Sequence, residues 1–473
     1  MILSQLWDRI IKGSATMSER EFLRVQLRNF LASEQRKTMV TAIDYYNGKH
    51  DILTKQRYVV GEGGKQLALQ GVPNNQIVDN RFDDLVDQKV NYLLSKPLDL
   101  DINTDDDELD KMFGIQFQRL LKSVGKFATM AGKAYIHPYI GIDGSLKFKM
   151  MKPHQVLPFW ADEEHTQLDA FLYLYDIEHY TGLETKIIHK VEYYTPDGIQ
   201  YYVWDMEQLL PDADKTNTAN FAIDDKPYNW KRIPLIMFRA NEFEQPLIIK
   251  VKSLQDALNR LLSNFQDNME EDIRSTILIL QNYDGENLAK FRQNLASYGA
   301  IKVRTVDGVN GDVKALKIEV NSDNYQLLIN ILRKAIIENG RGFDAKDDRM
   351  ANNPNQMNIM SMYSDIDLDA NEMELEFKSS LHDLMWFVNT YRGLTNQDTV
   401  EEVDFIFNRD LPINEGDTIN NCKNSVGIIS NETIIANHPW TTDAAEELAK
   451  VKKEQSEVTA DFVVPNGGEA DGE

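Results

Sequence analysis

The chain has one cysteine, Cys422, among 473 residues. A single cysteine excludes an intrachain disulfide, so folding needs no oxidising compartment and fits assembly in a reducing cytoplasm. Long apolar runs are also missing, and none reaches the length that a bilayer span requires. The N-terminal apolar stretch carries Asp8 and is not followed by a small-residue cleavage signal. We therefore expect a soluble protein that is neither secreted nor partnered with a membrane.

Positive charge is scarce. The chain has 51 Lys and Arg against 75 Asp and Glu, a formal net charge of −24. Lys and Arg supply most non-specific affinity for phosphates, so this balance argues against a protein whose task is to grip nucleic acid. It is compatible with a surface past which DNA moves without sticking, although an ordinary acidic protein has the same balance.

Recognisable motifs for catalysis are missing too. The histidines are scattered, Cys422 has no neighbour at zinc spacing, and no nucleophile elbow occurs. Residues 61–66 are glycine-rich with a lysine, but they lack the glycine spacing and the Ser or Thr of a phosphate-binding loop, which favours a flexible turn. The acidic run 99–110 is better interpreted as a solvated stretch than as a metal cage. We predict no catalytic residue, metal site or cofactor.

One acidic motif has the ligand spacing of a calcium loop. It comprises Asp365, Asp367 and Asp369 followed by Glu376, but Ala370 stands where such a loop needs glycine for its sharp bend. The same residues fall within a long helical pattern. A solvated acidic helix face is therefore the favoured interpretation.

Local patterns divide the chain, which at this length should form roughly two to four compact units. Apolar spacing predicts an amphipathic helix over 18–46, with Ser18 and Glu21 as a capping box, and a second helix over 76–94. Residues 134–239 alternate β-branched and aromatic runs with turn dipeptides, which predicts antiparallel hairpins.

Helical patterns dominate the remainder. They predict helices over 250–273, 323–338 and 359–391, and further helix within 415–453. Between the first two lies a small mixed region, 274–320, with a hairpin around Gly308 and Gly311. A polar loop covers 343–358, and the acidic, glycine-rich end from 458 is predicted to be disordered.

Three segments carry a family resemblance. They are Tyr45 to Ile52 (YYNGKHDI), Pro73 to Asn80 (PNNQIVDN) and Val86 to Pro97 (VDQKVNYLLSKP). A tyrosine-glycine turn, a Pro-Asn-Asn turn and a helix ending Tyr-Leu-x-Gly-Lys-Pro recur in this order in phage portal proteins, especially those of siphophages of Gram-positive hosts. Ser95 stands here in place of the usual glycine. The chain thus resembles the phage portal family over most of its length.

The resemblance implies an α+β, predominantly helical portal fold with wing, stem, clip and crown, whose subunits form a dodecameric ring around a central channel. The implied parts are N-terminal helices and a β-rich wing (1–246), a first stem helix (247–273), a clip (274–321), a second stem helix (322–342), a tunnel loop (343–358), a long wing helix (359–394), a crown (395–455) and an acidic tail (456–473).

The resemblance also implies a place and partners. The ring would sit at one capsid vertex of the virion, after assembly in the host bacterial cytoplasm. Its partners would be other copies of the chain, the terminase packaging motor, a head-tail adaptor, a major capsid or scaffolding protein, and the double-stranded DNA in the channel.

Site residues follow from these parts. The apolar stripe of the first stem helix suggests oligomerisation through Leu254, Leu258, Leu261 and Phe265. The polar loop suggests DNA-channel residues Lys346, Asp347, Asp348 and Arg349. In the clip, seven Lys or Arg face five Asp or Glu. This local basic excess suggests partner docking at Lys302, Arg304 and Lys314.

Two alternatives stay open at this point. A metal-dependent phage nuclease or packaging-motor component would use the acidic clusters, and divalent-ion-dependent cleavage or ATP turnover would reveal it. Another structural head ring, such as an adaptor or minor head protein, would differ in lacking the stem, clip, stem and loop order of residues 247–358, which adaptors are too short to contain.

Overall fold

A computed structural model describes residues 18–60, 65–68, 72–102, 106–181, 184–223, 226–274, 277–281, 312–316, 322–344, 356–400, 402–409, 414–441 and 443–461. The chain divides into two compact units. The first comprises Met1–Gly342 and Asp369–Asn408, and the second comprises Phe343–Leu368 and Arg409–Glu473. Helices and sheets are both present, which confirms the α+β class.

The first unit opens with helices α1 (Glu19–Ala32) and α2 (Glu34–Tyr46), a short 3-10 turn (Asp51–Thr54) and a small hairpin of β1 (Tyr58–Val60) and β2 (Gln66–Ala68). The Ser18 hydroxyl accepts a hydrogen bond from the Glu21 N–H, as the predicted cap requires. The prediction of one helix over 18–46 was wrong. Ser33 has extended backbone and bonds both Phe30 O and the Arg36 N–H, so it ends one helix and begins the next.

The next elements are α3 (Arg81–Leu94), β3 (Leu98–Ile102), α4 (Asp107–Met112) and α5 (Ile115–Ala131). The helix predicted over 76–94 begins only at Arg81, where Asn80 caps it by accepting the Asp83 N–H. Helices α3 and α5 pack closely, and a Cβ on Gly125 would collide with Leu94.

The β-rich part confirms the predicted antiparallel hairpins. Its strands are β4 (Lys133–Ile140), β5 (Leu146–Met151), β6 (Val156–Trp160), β7 (Leu168–Thr181), β8 (Glu184–Thr195), β9 (Gly198–Asp205), β10 (Gln208–Pro211), β11 (Phe221–Ile223), β12 (Lys226–Tyr228) and β13 (Ile236–Arg239). Five form a sheet in the order β10-β9-β8-β7-β6, three form a sheet in the order β13-β4-β5, and β11 pairs with β12.

Strand β7 shows why this part is stable. Successive side chains of a strand point to opposite faces of the sheet. On one face Leu172 packs with Leu23 and Leu27 of α1. On the other face, Phe171 belongs to a core with Tyr135 of β4. Alternation along one strand therefore ties the five-stranded sheet to both neighbouring layers.

Two long helices follow, α6 (Leu247–Arg274) and α7 (Ser322–Asn339), with β14 (Ile277–Gln281) and β15 (Asp312–Leu316) between them in the chain. The two strands pair antiparallel. The helices lie against each other, with the rings of Phe265 and Tyr325 at 4.8 Å. The helices predicted over 250–273 and 323–338 are confirmed, whereas the turn around Gly308 and Gly311 lies outside the described residues.

Helix α8 (Gln356–Leu394) is followed by β16 (Val403–Phe407), α9 (Glu415–Asn424), α10 (Asn431–Ala436) and α11 (Ala444–Asp461). The predicted apolar stripe of α8 is buried at Ile366, Phe377 and Leu384. Strand β16 pairs with β3. Helix α11 reaches Asp461, so the first residues of the predicted disordered tail are helical; residues 462–473 lie outside the description.

The second unit is stabilised by internal contacts of its own. In it, the Phe343 and Tyr363 rings stack at 4.4 Å, and Arg409 forms an ion pair with Asp367 at 2.7 Å. Cys422 is buried within α9, which fits an ordinary helix residue. In the part of the chain that the structure covers, no helix is long and apolar enough to cross a membrane.

Candidate functional site

The best-defined polar site of the first unit lies along α6. Four side chains at every fourth position, Gln255, Asn259, Ser263 and Asp267, are nearly inaccessible to solvent, with 0–2% exposure. Residues four apart lie on the same face of a helix, so they form one line along its surface. We call this line the polar row. Buried polar groups are costly unless they are hydrogen-bonded, so the polar row must have partners.

Those partners are backbone groups of residues 75–81, which we call the docked segment. Alternate N–H groups of the segment donate to successive members of the polar row: Asn75 to Asp267 (2.6 Å), Ile77 to Ser263 (2.9 Å), Asp79 to Asn259 (3.0 Å) and Arg81 to Gln255 (2.9 Å). Gln255 also donates to Asp79 O. The docked segment thus runs antiparallel to α6 and is held mainly by its backbone.

The two spacings match. Four residues of helix rise about 6 Å, and two residues of extended chain span about 6.6 Å. An extended backbone can therefore meet one side chain per helical turn without stretching either partner. This match explains why the helix predicted over 76–94 does not begin before Arg81.

The turn at residues 45–52 reaches the same row. The Asn259 amide donates to Nδ1 of His50 at 2.8 Å, and His50 Nε2 lies 3.0 Å from Tyr45 O. Asn259 Oδ1 accepts the Asp79 N–H, so its NH2 group must face His50. His50 is therefore the neutral tautomer with its proton on Nε2. Burial lowers the pKa of His50, which favours the same neutral form.

Charged groups close the end of the site near the start of α6. Lys252 contacts Asp51 at 2.6 Å and Asp256 at 2.7 Å, and the Tyr45 hydroxyl donates to Asp256. Burial opposes the ammonium, but the two carboxylates raise the pKa of Lys252. Burial raises the pKa of Tyr45. The lysine therefore stays charged and the tyrosine stays neutral near neutral pH.

At the other end, Asp267 pairs with Lys55 at 2.7 Å. Burial disfavours the Asp267 carboxylate, but the Asn75 N–H and the Lys55 ammonium hold its pKa below the ordinary value. The docked segment therefore ends on a buried ion pair at this side.

A second ion-pair group joins α3, the turn that follows α7, and α8. Asp369 contacts Lys89 at 2.6 Å and Arg341 at 2.7 Å. Burial lowers the pKa of Lys89. Burial would raise the pKa of Asp369, but its two cations outweigh this and lower it. The directions differ because Lys89 has one carboxylate to offset its burial, whereas Asp369 has two cations.

This result corrects the sequence-based interpretation of Asp365, Asp367 and Asp369. Helix α8 is continuous through them, so a calcium loop does not form. Asp365 is exposed, as the solvated-face interpretation expects, but Asp367 pairs with Arg409 and Asp369 is half-buried in its ion pairs. Among the residues described, no group of three or more His, Cys, Asp or Glu is placed to hold a metal ion.

The acidic run 99–110 also has structural partners. Asp106 caps α4 and pairs with the buried Arg392 at 2.7 Å, and Asp99 accepts a hydrogen bond from Asn408. The Arg392 hydrogen bond lowers the pKa of Asp106 despite partial burial. Described members of the run therefore hold neighbouring elements together, which the solvated interpretation had not anticipated.

The predicted oligomerisation residues of α6 do not share one environment. Leu258 is fully buried within its own chain, whereas Leu254, Leu261 and Phe265 are partly exposed. A fully buried side chain belongs to the core of the subunit, so only the other three are available for contact with another copy. The predicted role of these three in oligomerisation stays a prediction.

The predicted channel and docking residues are mostly outside the described chain. This holds for Lys346, Asp347, Asp348 and Arg349 of the loop, and for Lys302 and Arg304 of the clip. Lys314 lies on β15, paired with Ile279 of β14. Their functional roles stay predictions.

The polar row was missed at the sequence level, although its signal was present. Gln255, Asn259, Ser263 and Asp267 recur every fourth residue beside the apolar stripe of the same helix. A polar line next to an apolar one normally faces solvent. Its regular spacing through four helical turns was the clue that an extended partner could bind there.

Comparison with known proteins gives an independent result. The family model described as "Phage portal protein, SPP1 Gp6-like" matches residues 32–460. A "Portal protein" of Clostridium phage phiCD119 is 25% identical over 443 residues, covering 91% of this chain and 95% of that protein. A "Portal protein" of Bacillus phage SPP1 is 24% identical over 484 residues, covering 99% and 93% respectively.

The fold combines helices with antiparallel sheets, and its best-defined polar site is internal to the chain. The polar row and its neighbours bind other groups of the same chain, which suits a joint between elements. The match over residues 32–460 then identifies the kind: the chain belongs to the SPP1 Gp6-like family of phage portal proteins, and its function is that of a phage portal protein.

Proposed function

We propose that the chain forms a dodecameric ring around a DNA channel at one vertex of the capsid. The ring serves DNA packaging, retention and ejection, and it binds the packaging motor and head-tail adaptors. The observation that carries this proposal is the family match over residues 32–460. The same proposal assigns no catalytic step, metal or cofactor to the chain, and divalent-ion-dependent DNA cleavage or ATP turnover by the purified protein would contradict it.

In this proposal α6 and α7 are the stem helices. The polar row then joins the first stem helix to the docked segment, and Asp79 of that segment pairs with Arg333 of α7 at 2.7 Å. A ring that transmits force from a motor needs rigid subunits. Ion pairs and backbone hydrogen bonds between separate elements supply such rigidity, because each element fixes the position of the next.

Ring closure needs an exposed contact surface on each subunit. Helix α7 offers one, because Leu327, Leu328 and Ile331 are 58%, 48% and 52% exposed and lie on adjacent turns. Leu254, Leu261 and Phe265 of α6 are partly exposed and could contribute. Apolar contact between neighbouring copies would remove this surface from water, which is favourable.

Electron microscopy of the purified full chain tests the proposal. We expect rings with a central channel. The double substitution Leu328→Asp and Ile331→Asp should abolish rings without unfolding the subunit, because both side chains are exposed. Asn330→Asp adds a charge at an exposed position of the same helix and is the matched control. Leu258→Asp should instead unfold the subunit, since Leu258 is fully buried.

If the wild type forms no ring under any assembly condition, the proposed architecture is wrong. Rings that persist in the Leu328→Asp, Ile331→Asp variant would contradict the assignment of this surface alone. Circular dichroism of each variant separates lost assembly from lost folding.

The remaining functional residues are proposed from the family resemblance together with local polarity and charge. Residues 343–358 would form the tunnel loop, with Lys346 and Arg349 contacting phosphates and Asp347 and Asp348 limiting adhesion. Residues 274–321 would form the clip that docks the terminase motor and the adaptor through Lys302, Arg304 and Lys314. A capsid or scaffolding protein would surround the ring during assembly in the host cytoplasm.

A further inference from the structure

A basic groove lies between α5 and β5, away from the polar row. Its volume is about 870 Å³, and its lining includes four cations, Arg119, Lys122, Lys126 and Lys147. None of the described residues that line it is Asp or Glu. This is unusual in a chain with a formal net charge of −24. The groove therefore has a local excess of cationic side chains on an acidic protein.

The cations follow the walls of the groove. Arg119, Lys122 and Lys126 occur at intervals of three and four on α5, which places them on one face of the helix over about 10 Å of rise. Lys147 comes from β5. Lys126 already pairs with Asp87 and Lys147 with Asp143, at 2.8 and 2.9 Å. These two are partly neutralised.

The other two cations are more available. Arg119 donates a 3.4 Å hydrogen bond to Gln116, a neutral group. Within the described ranges, neither Arg119 nor Lys122 has a carboxylate partner at ion-pair distance. Arg119 is exposed and Lys122 is half-buried. Because neither is neutralised by a carboxylate, they can bind an anion in the groove without first breaking an internal ion pair.

Aromatic side chains accompany these cations. Tyr139 and Phe148 are half-buried in the lining, and Phe148 packs edge-on against Phe117 with ring centroids 5.4 Å apart. Basic grooves interleaved with aromatic rings are typical of nucleic-acid-binding surfaces, where cations contact phosphates and rings contact bases or sugars. An acidic peptide would also be attracted by the cations, but its binding would not explain why aromatic rings line the groove.

We infer that this groove binds the sugar-phosphate backbone of DNA, with Arg119 and Lys122 as phosphate contacts and Tyr139 against an adjacent deoxyribose. The inference depends on the proposed function in one respect: the proposed channel is what brings DNA to the protein. It adds a DNA contact that is separate from the loop 343–358 and the clip. It also explains how an acidic chain can contact DNA, since attraction between the protein and DNA is then confined to one groove on each subunit.

The test is fluorescence anisotropy of a short labelled duplex with the full-length protein over a range of salt concentrations. The substitution pair Arg119→Gln and Lys122→Gln should weaken binding at low salt about tenfold and reduce the slope of log K against log salt by about two, since each lost phosphate contact removes about one. Tyr139→Leu should weaken binding with no change in slope.

The matched control is Lys37→Gln with Lys49→Gln, which removes the same charge from exposed sites that face Glu34 and Asp44. If this control weakens binding as much as the groove variant, bulk charge is responsible and the inference fails. The same holds if the wild type binds no duplex at low salt.

A competition experiment separates DNA from an acidic protein partner. Polyglutamate at matched charge concentration should displace the duplex poorly. Equal or tighter binding of polyglutamate would overturn the DNA assignment in favour of an acidic peptide. Electron microscopy of each variant keeps this inference distinct from the proposed ring: intact rings that bind no duplex refute the groove alone, and duplex binding by a protein that forms no rings refutes the ring alone.

Discussion

One oxygen of the Asp79 carboxylate accepts two hydrogen bonds from Arg333, from Nε at 3.0 Å and from Nη2 at 2.7 Å. Asp79 belongs to the docked segment, and its own N–H is bound by Asn259 of α6. A single residue thus connects both long helices. Through it the position of α7 depends on that of α6 by a route other than their direct packing.

We expect this connection to be measurable. Asp79→Asn and Arg333→Gln should each destabilise the subunit, and a double-mutant cycle should give a coupling of about 1 kcal/mol, the upper range for a pair that is partly exposed to solvent. Urea unfolding of the four proteins provides the values. A coupling near zero would show that α7 is held by its packing alone.

The polar row allows a closely matched comparison. Ser263→Ala leaves the Ile77 N–H without its acceptor, and an unsatisfied buried donor costs about 1–3 kcal/mol. Ser253→Ala makes the same change at an exposed position of the same helix, where the better helix propensity of alanine should slightly stabilise. Urea unfolding would contradict the role of the polar row if the two variants had equal stability.

The His50 contacts predict a pH dependence. Protonation would place an Nδ1 proton against the NH2 group of Asn259, and burial already lowers the pKa of His50 from its ordinary 6.5. The unfolded chain therefore binds this proton more readily than the folded one. The contribution of neutral His50 is complete above pH 6.5 and is lost as the pH falls towards the lower folded-state pKa, at about 1.4 kcal/mol per unit of difference.

His50→Asn isolates this effect, because asparagine can present an acceptor towards Asn259 but does not titrate. Below pH 6.5 the wild type should lose stability more steeply than the variant. Comparison with the variant is necessary since burial also lowers the pKa values of His137 and His154 to about 4. Parallel stability curves for the two proteins would rule out His50 as the titrating group.

Periodicity in the sequence predicted those elements whose partners are apolar. The stripe through Ile366, Phe377 and Leu384 gave α8, and alternation gave the hairpins of the β-rich part. Periodicity gave the wrong prediction where polar contacts determine the conformation. Ile77 and Val78 fit a helical pattern with α3, but α6 binds the backbone of this segment and keeps it extended.

Tertiary partners also explain what the sequence could not assign at the site. The sequence does not show whether the Asn259 side chain faces water or a backbone N–H. It faces an N–H because Asp79, which is distant in the chain, lies against it in the folded protein. The DNA and docking residues have a different basis: they rest on local polarity and charge in segments whose place in the molecule is proposed from the family resemblance. The motifs at 45–52 and 73–80, which carried that resemblance, meet at the polar row.

The tunnel-loop proposal concerns Lys346 and Arg349. They are the only cations between residues 343 and 358, and a polar loop between two apolar helices suits a position in the channel. Replacing both with glutamine should lower the efficiency of DNA packaging in an in vitro assay while rings still form, because transient phosphate contacts are lost. Unchanged packaging would refute the contacts, though the loop could still act as a passive constriction.

The clip proposal rests on charge and topology. Residues 274–321 carry a small basic excess within an acidic chain, which would steer an acidic partner. The region also connects the ends of two long helices, so it can vary without disturbing them. Reversing Lys302, Arg304 and Lys314 to glutamate should leave rings intact and weaken binding of the motor or adaptor in pull-down experiments at low salt.

Salt provides the internal control for that experiment. Screening weakens the wild-type attraction, so the difference between wild type and variant should shrink as salt rises. Reversal of Lys334, Lys378 and Lys450, which pair with carboxylates on their own helices, changes the net charge equally without altering the clip. If that variant loses the partner to the same degree, or if the clip variant still binds at low salt, the docking surface lies elsewhere on the subunit.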